Sequence, residues 1–157
     1  MTSVPEIGRP DIGQPDIRWI DDRTAVAPQV TPAMIAAVKA AGFVAIVNNR
    51  PDDEEPGQPA GDAVRAAAEA AGLGYAAIPV TQAGFSHPQL DAMARAMAEA
   101  DGPVLAFCRS GTRSCNLWAL ASAKAGGEPA ALVAQGSAAG YDLRGIRPML
   151  DALAGPR

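Results

Sequence analysis

Val104-Leu105-Ala106-Phe107-Cys108-Arg109-Ser110-Gly111-Thr112-Arg113-Ser114 is the stretch on which the reading of this chain turns. Four apolar residues of strand length run into a cysteine and a tight turn, and a segment of helical character follows to about Ala125. That order predicts a strand, an anion-binding loop and a helix start, which brings backbone N–H groups and the positive end of a helix dipole to one point. A cysteine placed there is expected to favour the thiolate, its nucleophilic form. Arg113 closes the loop with a planar fork of donors that grips two oxygens of a tetrahedral anion at once, which a lysine does not do. The stretch reads as a nucleophile, Cys108, beside an oxyanion cradle formed by Arg109, Ser110, Gly111 and Thr112.

Outward from this loop, strand and helix signals alternate. Ile17–Ile20 and Thr24–Ala27 are short strand candidates around a turn at Asp21-Asp22-Arg23. Thr31 is expected to cap a helix that has Pro32 at its first position and Met34, Ile35 and Val38 as its apolar stripe, with Gly42 ending it. Phe43–Val47 is a continuous apolar run, which belongs in a sheet covered on both faces. A polar loop over Asn48–Gly61 carries three prolines and four acidic residues, and an alanine-rich helix then runs to Ala71 and stops at Gly72. Tyr75–Val80 reads as the next strand. Ser86 and Gln89 form a capping-box pattern for a helix that buries Leu90, Met93 and Met97. Trp118 and the stripe of Met93 and Met97 are expected in the core.

The expected fold class is therefore α/β, a three-layer sandwich with a short, mainly parallel central sheet flanked by helices. In such sheets ligands bind beyond the carboxyl ends of the strands, where Cys108 falls. Residues 1–16, with the tandem Ile7-Gly8-Arg9-Pro10-Asp11 and Ile12-Gly13-Gln14-Pro15-Asp16, read as a flexible Gly/Pro-rich arm, and 17–157 as one catalytic domain. A length of 157 residues with 48% hydrophobic content suits one domain with a proper core. A net charge of −4 with scattered basic residues argues against a nucleic-acid partner. No apolar run approaches the roughly 20 residues of a membrane span. Two cysteines make no disulfide framework, and the N-terminus lacks a signal-peptide pattern, so the cytoplasm is the expected location. No cofactor and no metal are expected.

Several motifs add a family likeness: Gln29-Val30-Thr31-Pro32, Val47-Asn48-Asn49-Arg50-Pro51-Asp52 with Glu54-Glu55-Pro56, Ile78-Pro79-Val80, the Cys108 loop, and Gly140-Tyr141-Asp142-Leu143. In this order the chain resembles the bacterial beta-lactamase hydrolase-like family of phosphatase-like domains, relatives of the dual-specificity protein tyrosine phosphatases. The resemblance implies a dual-specificity phosphatase-like fold and hydrolysis of phosphomonoesters through a phosphocysteine on Cys108. It implies that Arg113 and the loop amides bind the equatorial oxygens, and that the Ser114 hydroxyl hydrogen-bonds the thiolate. Its partner would be a phosphate-bearing substrate or another oxyanion.

Two features depart from tyrosine phosphatases. Their loop has five residues between Cys and Arg, and this one has four, Arg109 to Thr112. The shorter loop also resembles that of rhodanese sulfurtransferases, which implies a persulfide on Cys108 as the alternative chemistry. Secondly, the loop after Ile78-Pro79-Val80 carries no carboxylate where related phosphatases place their general acid. Asp52, Asp53, Glu54 and Glu55 are the candidates in its stead, with His87 more distant. Arg50 is a candidate supporting cation for the anion, with hydrogen bonding to carbonyls after its strand as the other reading. Cys115 reads as core, or as a resolving partner for oxidised Cys108.

Overall fold

Period-2 alternation along short apolar runs sets the architecture of the computed structural model, which describes residues 16–156. Its strands are β1 (Arg18–Trp19), β2 (Thr24–Ala27), β3 (Ala45–Asn48), β4 (Gly74–Ala77) and β5 (Val104–Phe107). Its helices are α1 (Ile35–Ala40), α2 (Gly61–Ala70), α3 (His87–Glu99), α4 (Thr112–Lys124), α5 (Pro129–Ala138) and α6 (Arg147–Ala154). The sheet order is β1-β2-β5-β3-β4, parallel throughout except for β1, which pairs antiparallel with β2.

Within β5, Val104 and Ala106 face one layer while Leu105 and Phe107 face the other. The first layer packs on α3 to α6 through Met93, Leu117, Trp118, Leu120, Leu132 and Leu150. The second packs on α1 and α2 through Ile35, Val38, Val64 and Ala68. All four β5 residues are buried, so the strand that carries Cys108 at its end is held from both sides. Each such large apolar side chain contributes about 1.5–3 kcal/mol through its removal from water. Rigidity at the base of the Cys108 loop follows from that packing.

The expected three-layer α/β class is what the chain adopts, with local corrections. β3 begins at Ala45, because Phe43 lies outside the ladder and stacks on Trp19 with ring centroids 4.8 Å apart. β4 ends at Ala77, short of the expected Val80, where Pro79 has no N–H to give a ladder. The helix expected from Pro32 opens as a 3-10 turn, Pro32–Met34, before α1. Thr31 stands at the cap position without a cap bond, and its Oγ1 is buried without a hydrogen-bond partner. The capping box of Ser86 and Gln89 does form at the start of α3. Helices α5 and α6, for which the sequence offered no clear reading, complete the second face of α4. The arm expected over residues 1–16 lies outside the described residues except for Asp16, which pairs with Arg18. Among the described residues, no helix is long and apolar enough to cross a membrane.

Candidate active site

β5 ends at Phe107, and the next residue, Cys108, is buried at the carboxyl edge of the central strand of the sheet. Its N–H donates to the Ala27 carbonyl of β2 at 3.4 Å, which anchors the loop to the sheet. The chain then turns through Gly111, whose φ of 95° lies in the left-handed region that a residue with a Cβ resists. That turn aims the Gly111 N–H at the Cys108 sulfur, 3.1 Å away. Tyr141 packs over the outside of Gly111 and donates its hydroxyl to the Ser110 carbonyl at 3.2 Å. Helix α4 starts at Thr112, so its dipole and unpaired first-turn amides point toward the sulfur side. Among the described residues, the amides of Arg109, Ser110, Arg113 and Ser114 have no protein acceptor.

Arg113 donates from Nη1 to Glu54 Oε2 at 2.6 Å and from Nη2 to Glu54 Oε1 at 2.9 Å, and Nη1 also reaches the Val80 carbonyl at 2.9 Å. A guanidinium has five N–H groups. The three used here lie on the end and the Nη1 side, so the Nε–H and the outer Nη2–H remain. Those two are parallel neighbours, the pair that takes a tetrahedral oxyanion in two bonds. Glu54 therefore orients Arg113, whose remaining edge also bears on the Cys108 sulfur. The reciprocal effect is large: hydrogen bonding from Arg113, then from Arg50, holds the Glu54 carboxyl down at about 2 from an ordinary 4.5. Arg113 is correspondingly raised, chiefly by Glu54 and further by the Cys108 sulfur.

The other predicted residues divide between those brought to the cleft and those held away. Glu54, Thr81, Gln82, Arg109 and Arg113 line an open cleft of about 480 Å³. Arg109 is largely exposed at its rim, 3.5 Å from Glu55. The Ser110 and Thr112 hydroxyls bond each other at 3.0 Å on the exposed side of the loop. Arg50 is buried, with Nε on Glu54, Nη2 on Glu55 and Nη1 on the Gln29 side-chain oxygen at 2.8, 2.7 and 2.9 Å. Arg50 thus ties Glu54, Glu55 and Gln29 together and anchors the acidic loop. Neither expected reading of this residue, supporting cation or carbonyl donor, describes that role.

Of the candidate proton donors, Asp52 accepts from the Gly61 N–H at 2.8 Å and caps the start of α2. Asp53 is exposed at the loop tip with φ 63°. Glu54 and Glu55 are held ionised by arginines, with Arg50 the leading cause for Glu55. His87 pairs with Lys124 through Nδ1 at 2.8 Å, at the far end of α4 and about 16 Å along the helix from Arg113. Cys115 is buried in α4, and burial pushes its thiol up to about 12. A protonated thiol in that setting is a core residue.

Ser114 differs most from what the family likeness implies. Its hydroxyl donates to the Asn49 side-chain oxygen at 2.8 Å, and the sulfur receives its hydrogen bond from Gly111 instead. Asn49, Gln29 and Tyr141 stand within the motifs that carry the family likeness, but residue type alone assigns none of them a partner. The signal was present in the pair Asn48-Asn49, two amides directly after a buried apolar strand, where a polar side chain must find buried partners. Among the described residues, no group of three or more His, Cys, Asp or Glu gathers to hold a metal ion.

Comparison with known proteins places this geometry in a family. A curated relative in Agrobacterium fabrum, a beta-lactamase hydrolase-like protein, is 42% identical over 104 residues, which is 66% of this chain and 24% of that protein. The chain thus spans about a quarter of the length of the curated relatives it matches. A crystal structure of a candidate phosphatase from Neisseria meningitidis superposes with a TM-score of 0.77 at 32% identity, covering 87% of this chain and 97% of that one. The active form of Tk-PTP shares the fold, with a TM-score of 0.68 at 22% identity over 88% of this chain and 95% of its own. The family profile described as "Beta-lactamase hydrolase-like protein, phosphatase-like domain" matches residues 16–125, from the first strand through the last turn of α4, and the chain belongs to that family.

Proposed function

We propose that this domain hydrolyses phosphomonoesters, with Cys108 as the nucleophile and no metal in the reaction. The observation that carries the reading is the pairing of one sulfur, under the Gly111 N–H at 3.1 Å, with an Arg113 fork whose Nε–Nη2 edge is left free by Glu54. The sulfur attacks phosphorus as the bond from phosphorus to the leaving oxygen breaks, and that oxygen departs with the electron pair. Water then displaces the sulfur from the phosphocysteine. Arg113 and the loop amides hold the charge on the equatorial oxygens through both steps.

Glu54, the one carboxylate among the described residues that lines the cleft, is kept ionised and gives no proton to the leaving oxygen. Substrates whose leaving group is stable as an anion, such as aryl phosphates of acidic phenols, are therefore turned over best. Replacement of Cys108 by serine tests the mechanism: aryl phosphate turnover is expected to vanish with the fold intact. Turnover retained in Cys108→Ser overturns it.

The same two features favour a second reading on the same sulfur. A four-residue loop encloses a smaller group than a five-residue one, and a departing sulfite needs no proton, which supports a persulfide on Cys108. Cyanide-dependent thiocyanate release from thiosulfate, faster per active site than aryl phosphate hydrolysis, would favour sulfur transfer over phosphoryl transfer.

A further inference from the structure

A network of ion pairs borders the cleft, made by Arg50, Arg109, Arg113, Glu54 and Glu55. Glu54 takes two bonds from Arg113 and one from Arg50, and Glu55 Oε1 takes one from Arg50 at 2.7 Å. Two carboxylates thus neutralise Arg50 and Arg113, and Arg109 is the surplus positive charge. Its guanidinium makes no hydrogen bond among the described residues. Nη2 meets Glu55 Oε2 at 3.5 Å, longer than a charge-assisted hydrogen bond, and 66% of the side chain is exposed.

The root of this side chain is fixed and its head is loose. Arg109 directly follows Cys108, and its carbonyl accepts from the Gln29 N–H at 3.4 Å, which ties its backbone to the segment after β2. The side chain lines the cleft together with Arg113, Thr81 and Gln82, of which the last two are neutral. An ion pair in water holds its partners weakly. Glu55 keeps its bond to buried Arg50 when it gives up Arg109, so it is a displaceable partner. A guanidinium released in this way takes a carboxylate or a phosphate through two parallel N–H groups.

We propose that Arg109 is a second anion site of the cleft: it takes a carboxylate or phosphate that the substrate carries beside its scissile phosphate, and Glu55 occupies that place in the resting protein. The proposal rests on the hydrolase reading and narrows it to phosphomonoesters with a second oxyanion. No covalent step is involved. The second oxyanion exchanges with the Glu55 carboxylate on Arg109, while Cys108 and Arg113 face the phosphoryl group.

Calorimetric titration with three phosphonates that cannot be hydrolysed reads binding without turnover. Phenylphosphonate carries one anionic group, 3-carboxyphenylphosphonate adds a carboxylate, and 1,3-phenylenediphosphonate adds a second phosphonate. At least one of the two-anion probes is expected to bind wild type about tenfold tighter than phenylphosphonate, the worth of one charge-assisted contact. The larger gain tells whether the second group is a carboxylate or a phosphate. In Arg109→Gln the preference is expected to fall to within about twofold of unity, and in Glu55→Gln, which lacks the competing carboxylate, it is expected to rise. Equal affinity of wild type for all three probes overturns the proposal and leaves the hydrolase reading standing. A preference that survives in Arg109→Gln, or that falls in Glu55→Gln, overturns it as well. So does a loss of equal size for all three probes in Arg109→Gln, which would put Arg109 on the scissile phosphate. Binding of none of the three overturns the hydrolase reading together with the proposal.

Discussion

Replacing Glu54 by glutamine separates orientation of Arg113 from proton donation. The substitution keeps the size of the side chain and removes the charge that pairs with Arg113 at 2.6 and 2.9 Å and with Arg50 at 2.8 Å. A carboxyl held at about 2 instead of 4.5 corresponds to a ceiling of about 3 kcal/mol of folding stability. The Glu54 side chain is 28% exposed, so solvent screening brings the expected loss to about 1–2 kcal/mol. Urea unfolding should detect it as a lower midpoint with an unchanged slope. The pH dependence has a definite sign. A carboxyl depressed in the folded state stabilises above its unfolded value and loses that contribution as pH falls through its folded value. The advantage of wild type over Glu54→Gln should thus be constant from pH 7 to about 5, shrink below 4.5, and fade toward 2. In turnover, a less firmly held Arg113 should cost about tenfold in kcat/KM, equally for good and poor leaving groups. Equal stability at neutral pH would refute the ion-pair account, and a rate loss that grows as the leaving phenol becomes less acidic would refute the orienting role.

Other perturbations have equally direct outcomes. Arg50→Met should loosen the acidic loop by stripping Glu54 and Glu55 of a buried partner, lowering stability by about 2–4 kcal/mol because Gln29 and the carboxylates lose charge-assisted bonds; a near-neutral urea midpoint would contradict it. Gly111→Ala places a methyl against Tyr141 at a φ of 95°, and should destabilise by more than 1 kcal/mol and abolish activity; wild-type kinetics in that variant would show that the loop turn is dispensable. Cys115, its thiol pushed up to about 12 by burial, should stay unmodified by iodoacetamide at pH 7 in the folded protein, as read by peptide mass spectrometry, and labelling of Cys115 before Cys108 would contradict its assignment to the core. Aryl phosphate turnover should fall steeply as the leaving phenol becomes less acidic, and a flat dependence would reveal a proton donor the cleft does not show.

The layer order was legible because a few local signals were strong. Val104–Phe107 and the run ending at Val47 are too apolar to be covered on one side only, and Gly42, Gly72 and Ser86 mark helix ends by conformation and capping. Strand limits were less legible because Phe43 is drawn out of the ladder to stack on Trp19, a contact between residues far apart in sequence. Cys108, Arg113 and Glu54 were named from residue type and spacing, and the cleft does bring the arginine and the glutamate together. What spacing does not encode is which partner each polar group takes. Arg50, readable as a supporting cation or as a donor to carbonyls after its strand, spends its fork on Gln29, Glu54 and Glu55, while Ser114 gives its proton to Asn49, 65 residues earlier. Both outcomes depend on tertiary placement of amides whose side chains have no periodicity to read.

The most direct measurement is rapid quench of the protein with an activated aryl phosphate, followed by mass spectrometry of the peptide that carries Cys108. A phosphoryl adduct on Cys108 that forms and decays at the rate of turnover is the predicted result. An adduct on another residue, or turnover with no adduct that persists in Cys108→Ser, would contradict the assignment of this sulfur as the nucleophile.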